Sequence, residues 1–271
     1  MQRLLNVFSV LFVILFLNGC LKVETTVNVN TDGSGTIEET VFISREFADM
    51  IEEFSQSFGD TTEKEEFTLF KEDELISAAE NYGEGVNYVS GEKISNDKWE
   101  GFKAVYSFSD LNTIRMKPDP DSKVSVGVEE DSLDEQKDYY YFKFTGGNVA
   151  SVIIDRPDIK PDLNDEEEHV EEEYENESEE MDAEFVKMME GMSVKIDVNF
   201  NGKILETNAS YVEGSKITLI GLELDAMLKD KENLKLFKQK QPQTIEELKE
   251  FVEKVPGMKL ELQRPVTVNF K

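Results

Sequence analysis

The chain has 271 residues, 58 of them acidic and 29 basic, for a net charge of -29 at neutral pH. That balance excludes a nucleic-acid partner, because a phosphate backbone attracts basic patches, and it opposes adsorption to anionic lipid headgroups. The hydrophobic share of 39% is enough for a core, so global disorder is excluded too.

Met1 to Cys20 come first. Arg3 and the amino terminus carry positive charge, and Leu4 to Leu17 is mostly apolar, unbroken from Val10 to Leu17. This is the layout of a secretory signal, and it is too short for a comfortable membrane span of about 20 residues. It ends Leu17-Asn18-Gly19-Cys20, and Cys20 is the only cysteine. These four residues resemble the bacterial lipobox, with Asn18 its least typical occupant. The resemblance implies cleavage between Gly19 and Cys20, an S-diacylglycerol group on the Cys20 sulfur, and an N-acyl chain such as palmitate on the new amino group. The alternative is a conventional signal in which Cys20 is an ordinary residue. Stable anchoring takes more than one chain, at about 0.8 kcal/mol per buried CH₂. A single cysteine excludes an intramolecular disulfide. No later segment is long and apolar enough to span a membrane.

Lys22 to Asn30 alternates, with Val23, Thr25, Val27 and Val29 on one side, and reads as a half-buried strand. Thr31 to Gly35 is a turn cluster, and Thr36 to Ile43 returns as a second strand. Ser44 caps a predicted helix over Arg45 to Phe58, with Phe47, Met50, Ile51, Phe54 and Phe58 on one face. A second helix covers Glu72 to Tyr82, with Leu75, Ile76, Ala79 and Tyr82 inward. Val86 to Ile94 and Trp99 to Phe108 are strands, followed by a short helical piece at Asp110 to Met116. Lys123 to Val128, Tyr139 to Phe144 and Val149 to Asp155 are further strands, the last two joined as a hairpin by Gly146-Gly147.

From Asp162 to Glu184 most residues are acidic and none is Lys or Arg, so self-repulsion predicts a disordered loop. A helical piece near Ala183 to Glu190 follows. Val194, Ile196, Val198 and Phe200 then alternate with polar residues. Asn201-Gly202 predicts a type I′ hairpin returning through Lys203 to Ala209, and Lys216 to Ile220 completes a meander. Helical material runs from Leu224 to about Lys238. Thr244-Ile245-Glu246-Glu247 is a capping box opening a helix that Pro256-Gly257 stops. Lys259 to Leu262 and Val266 to Phe270 close the chain as strands.

The predicted fold is therefore α+β: antiparallel sheets built from hairpins and meanders, with packed helices and an acidic disordered insertion. The expected organisation is a signal peptide over 1–19, an α+β region over 20–160, an acidic loop over 161–184 and a second α+β region over 185–271. The two α+β regions stand as separate units or pack as one domain.

Three stretches together support a family comparison. They are the lipobox with its following strand and Asp32-Gly33-Ser34-Gly35, the run Asn201-Gly202-Lys203-Ile204-Leu205-Glu206-Thr207-Asn208-Ala209, and the strand Ile217 to Ile220. They resemble the LppM-like family of bacterial lipoproteins over about a third of the chain. Many of those relatives end in a transmembrane helix, whereas this chain ends in a polar strand, and its acidic insertion departs from the pattern. The resemblance implies an α+β lipoprotein ectodomain and transfers no catalytic residue.

His169, the only histidine, lies in the acidic block, so no positioned base for nucleophilic catalysis is expected, nor a zinc site of Cys/His composition. Gly83-Glu84-Gly85 lacks the rest of a phosphate-binding motif. Asp165 to Glu168 and Glu171 to Glu173 offer oxygen ligands for calcium, but no EF-hand pattern accompanies them, and weak cation binding by a solvated loop is the expectation. Trp99 and Tyr139-Tyr140-Tyr141 present aromatics of the kind that line sugar platforms, although strand aromatics usually pack in the core, as Phe42, Phe102 and Phe108 are expected to do. The sequence thus predicts no catalytic residue, no cofactor and no metal. It predicts a non-catalytic binding or structural ectodomain, exported and lipid-anchored to a bacterial cell membrane or outer membrane through Cys20. An envelope protein or glycolipid is its partner class. The alternatives are a lipid- or glycolipid-binding module and an acidic-pair hydrolase.

Overall fold

A computed structural model of the chain describes residues 21–49, 52, 68–118, 139–158, 191–228, 232–233, 242 and 244–271. The signal and lipobox, the strand predicted at Lys123 to Val128, the acidic loop with His169, and the helical piece near Ala183 to Glu190 lie outside them. So does most of the helix predicted to Phe58, though its start does not. Residues 45–49 are helical, and the Ser44 hydroxyl accepts a hydrogen bond from the Phe47 amide at 3.1 Å, as an N-cap does.

The described chain is mixed α and β, mostly strands in two sheets, with few helices. The larger sheet has eight strands. They are β1 (Leu21–Val29), β2 (Gly35–Ser44), β3 (Asn87–Ser95), β4 (Trp99–Phe108), β8 (Ser193–Phe200), β10 (Val212–Glu213), β11 (Lys216–Glu223) and β12 (Met258–Leu260). Their order is β10-β11-β8-β1-β2-β4-β3, with β12 also on β11. The second sheet runs β5-β6-β7-β13-β9. It comprises β5 (Arg115–Met116), β6 (Tyr140–Thr145), β7 (Ala150–Asp155), β9 (Ile204–Thr207) and β13 (Val266–Phe270).

Period-two patterning decides which side chains meet between the sheets. Val23, Val27 and Val29 of β1, Ile37 and Val41 of β2, and Phe102, Ala104, Tyr106 and Phe108 of β4 are buried in one cluster with Phe142, Val152, Ile154, Val266, Val268 and Phe270 of the second sheet. Phe200 meets Phe270 at 4.8 Å between ring centroids. The helix Glu72–Ala78 and the 3-10 turn Ala79–Tyr82 lay Leu75, Ala79 and Tyr82 into that cluster. Ile76, expected inward, is 49% exposed, because the helix turns one narrow stripe to the core. A smaller cluster joins Leu224 and Met227 to Phe251 of the helix Ile245–Lys254 and to Val255 just past its end. Thr244 caps that helix, its hydroxyl accepting from the Glu247 amide at 3.1 Å.

Two expectations fail for a topological reason. The sheets are not wholly antiparallel: β1 pairs with β8 in parallel, from Lys22 opposite Ser193 to Val29 opposite Phe200. And Asn201-Gly202 is no type I′ hairpin, since neither residue has positive φ. The chain there leaves the larger sheet for the smaller one, so β9 pairs with β13 while β11 is the strand that pairs with β8. The Asn201 amide bonds to the Val29 carbonyl at 2.8 Å, and Lys203 exchanges backbone bonds with Lys271 at 2.7 and 3.1 Å. These contacts steer the chain across the gap.

Between β1 and β2, Asp32 organises the turn. Its carboxylate accepts from the Ser34 hydroxyl at 2.7 Å and the Ser34 amide at 3.0 Å. Gly33 has φ +86°, and a Cβ there would lie 2.6 Å from the Phe144 ring, so glycine lets the second sheet close on this turn.

Truncating Phe270 to Ala removes one side of the inter-sheet ring contact and should cost about 3–5 kcal/mol, read as a lower urea midpoint at unchanged slope. Hydrogen bonding by Ser34 holds the Asp32 carboxyl below its ordinary value. Ser34→Ala should therefore raise the Asp32 pKa in an NMR carboxyl titration. In the wild type the small stabilisation from this contact is present above the ordinary carboxylate range and fades as pH falls through the depressed value.

Candidate functional site

Leu21, the residue after Cys20, opens β1, and β1 lies inside the sheet with a partner on each side. The end of the sheet where it begins is therefore the place the proposed anchor reaches. Register fixes what gathers there. Leu21 lies opposite Ile43, Lys22 opposite Phe42 and Ser193, and Ser44 opposite Trp99.

Lys22, Phe42 and Trp99 occupy the outer-face slots of β1, β2 and β4, and all three are half-buried. The Lys22 ammonium stands 4.6 Å from the Trp99 ring centroid, within cation–π range. Phe42 packs against Trp99 at 6.3 Å with the planes tilted by 56°. Phe42 was expected in the core; the parity of β2 turns it outward, while Phe102 and Phe108 are buried as expected. Gly101 makes this possible, because a Cβ there would sit 2.0 Å from the Val41 carbonyl oxygen and 2.9 Å from the Phe42 ring.

On the inner side of the same end lies Glu100, wholly buried. Its Oε1 accepts from the Thr68 hydroxyl at 3.1 Å and meets the Lys93 ammonium at 3.4 Å. Its Oε2 stands 3.2 Å from Arg45 Nη2, close enough for an ion pair but not aligned as a hydrogen bond. Arg45 also donates to the Ser95 hydroxyl at 2.5 Å. One carboxylate thus fastens the 45–49 helical start, the edge strand β3 and residue 68 to β4.

Three other carboxylates are buried among the described residues, and each is held separately. Asp197 accepts from the Thr218 hydroxyl at 2.7 Å and pairs with Lys195 and Lys216, each at 3.3 Å. Glu261 accepts from the Ser210 amide and hydroxyl at 2.5 and 3.0 Å and from the Gln263 amide at 2.9 Å. Glu39 faces Tyr82, whose phenol is pushed up by burial first and by the Glu39 charge second. Glu39 lies opposite Ala104 and Glu100 opposite Ile43, so their backbones are roughly 13 Å apart along the strands, and each carboxylate has its own partners. Among the described residues no group of three or more His, Cys, Asp or Glu converges as metal ligands, and no helix is long and apolar enough to cross a membrane.

Of the residues singled out from sequence, Gly19, Cys20 and the acidic-block carboxylates lie outside the described residues. The aromatic candidates do not converge. Trp99 belongs to the larger sheet, whereas Tyr139 and Tyr141 lie 6.2 Å apart with their rings tilted by 49° at the second, beside Arg115. The Glu100 cluster and the Lys22–Trp99 pair were missed. A signal for Glu100 was present, as a charged residue in an inward slot of an otherwise apolar alternation.

No protein-family model and no curated protein matches the sequence. Among solved structures, the NMR structure of the folded domain of the Mycobacterium tuberculosis LppM protein aligns over 94% of this chain and 91% of that chain, at 11% identity and a TM-score of 0.34.

Replacing Glu100 by Ala leaves Arg45 and Lys93 facing a cavity, although both are exposed enough to rehydrate. The expected cost is about 2 kcal/mol, with amide exchange in β3 accelerated more than in β1.

Proposed function

We propose that this protein is a bacterial envelope lipoprotein whose ectodomain has a non-catalytic binding or structural role. In this reading the signal is cut between Gly19 and Cys20. Diacylglycerol on the Cys20 sulfur and an acyl group on its amine then hold the domain at a membrane, outside the cytoplasm. The observation that carries the reading is positional. The apolar leader ends in the sole cysteine, and the next residue already opens the central strand β1. A cut at this point removes the leader without touching the sheet and leaves the acylated residue directly on the folded domain. The separate engagement of Glu39, Glu100, Asp197 and Glu261 supports a structural rather than a hydrolytic use of the buried acids.

Mass spectrometry of the mature protein tests this. The expected amino terminus is Cys20, heavier by a diacylglyceryl and an acyl group, and metabolic palmitate label should be absent from a Cys20→Ala variant. An unmodified amino terminus, at Cys20 or elsewhere, overturns the reading.

A further inference from the structure

We propose that the outer face of the larger sheet, at the end where β1 begins, docks on the membrane–water interface through Trp99, Lys22 and Phe42. This deepens the anchoring reading and rests on it. It gives the ectodomain a fixed posture at the bilayer in place of a loose tether.

The geometry starts from reach. Two chain steps separate Cys20 from Lys22, so their Cα atoms lie within about 7 Å of each other. The polar layer on each side of a bilayer is about 5–8 Å deep. β1 is hydrogen-bonded on both sides from its start, which leaves no flexible linker to carry the domain away. Trp99 is tied to the same corner, opposite Ser44 and under the Lys22 ammonium.

The chemistry suits that layer. Tryptophan rings favour the headgroup level, and lysine carries its ammonium from an apolar stem toward phosphate. Trp99, half-buried against Phe42, offers its remaining ring surface on this face. Charge is arranged to allow it. Glu100, which would repel lipid phosphate, points inward and is paired with Arg45 and Lys93. Lys22 and Lys98 remain for phosphate, against the exposed Glu24, Glu46, Asp49, Asp97, Glu223 and Asp225. Acids outnumber the two free lysines here, so the occupant is the phosphate-bearing interface of a bilayer, met through the indole and the lysine stems, and anionic lipid is not required. The acyl chains supply a high local concentration, so a contact too weak to recruit the protein still orients it.

Trp99 is the only tryptophan, which gives a clean probe. The full-length mature protein is reconstituted in phosphatidylethanolamine/phosphatidylglycerol vesicles, with or without bromine on the lipid chains near the headgroup. The expected result is Trp99 emission at least about twofold weaker in brominated vesicles and shielding from aqueous iodide, as for a ring at headgroup depth. Lys22→Glu should roughly halve the bromine effect. Lys98→Glu, a change at an exposed side chain, should reduce it if Lys22→Glu does not fold. Equal emission in brominated and plain vesicles overturns the proposal, as does iodide shielding without bromine quenching, which assigns the face to a protein contact. Mass spectrometry of the same samples separates the two readings. Acylated protein without quenching removes docking and keeps the anchor. Quenching of unacylated protein does the reverse. Neither signal removes both.

Discussion

The hydrogen bonding of β1 on both its edges is the constraint from which the rest of the structure follows. Its antiparallel bonds to β2 make the first hairpin, and its parallel bonds to β8 join chain segments about 170 residues apart. A parallel pair needs a long crossover, and here the crossover contains most of the second sheet. β6 and β7 form within it and wait for β13, the last strand, to complete their layer. The first and last strands of the chain are thus each placed inside a sheet, β1 in the larger and β13 in the smaller. The regions 20–160 and 185–271 contribute to both sheets and to one hydrophobic cluster, so neither region's strands complete a sheet without the other. Such non-local pairing places this fold among slow folders.

A second constraint is how so acidic a chain closes a core. Buried carboxylates are costly unless their oxygens are engaged, and the protein meets that condition differently at each site. Asp197 lies between two lysines and a threonine on the outer face. Glu261 relies on backbone amides and a serine, with no lysine or arginine among the described residues within ion-pair distance. Glu100 draws two cations and a hydroxyl from segments remote in sequence. Each acid therefore fixes relative positions as well as satisfying itself. Glu100 in particular specifies how the edge strand β3 and the start of the helix after β2 meet β4.

Alternation made the strands legible. Trp99–Phe108 coincides with β4, and Val266–Phe270 with β13, because every second residue is apolar and the ends are marked by turn residues. The caps at Ser44 and Thr244 were legible too, since their chemistry is local. Partner choice was not. Alternation reports which residues share a face, but it carries no information about which strand lies at each edge, so the parallel β1–β8 pair left no trace. Asn201-Gly202 shows how a local rule is overruled. The dipeptide suits a tight hairpin, yet Gly202 approaches the Lys271 backbone so closely that a Cβ would lie 2.7 Å from its carbonyl oxygen, and the chain uses the glycine for that crossing. Glu39 and Glu100 were visible only as conflicts, acids in the inward slots of apolar strands. What resolves each conflict comes from other elements: Tyr82 in one case, Arg45, Lys93 and Thr68 in the other.

The same distinction between averaged and placed chemistry applies to the membrane. A net charge of -29 argues against attraction to an anionic surface. That argument treats the charge as spread over the molecule, whereas at physiological salt exposed charges interact over only about 8 Å. Within that distance of Lys22 the relevant facts are local: an ammonium over an indole, a phenylalanine beside it, the exposed Glu24 on the same strand, and Glu100 turned inward and paired. Farther from that end, excess negative charge would work in the opposite direction, disfavouring any posture that lays the long face of the sandwich on the bilayer. For the anchor and the docking proposed above, a tolerated end and repelled flanks together would select an upright domain, with the turn at Asp32-Gly33-Ser34 and the Phe200–Phe270 contact at the far end of the sheets, away from lipid.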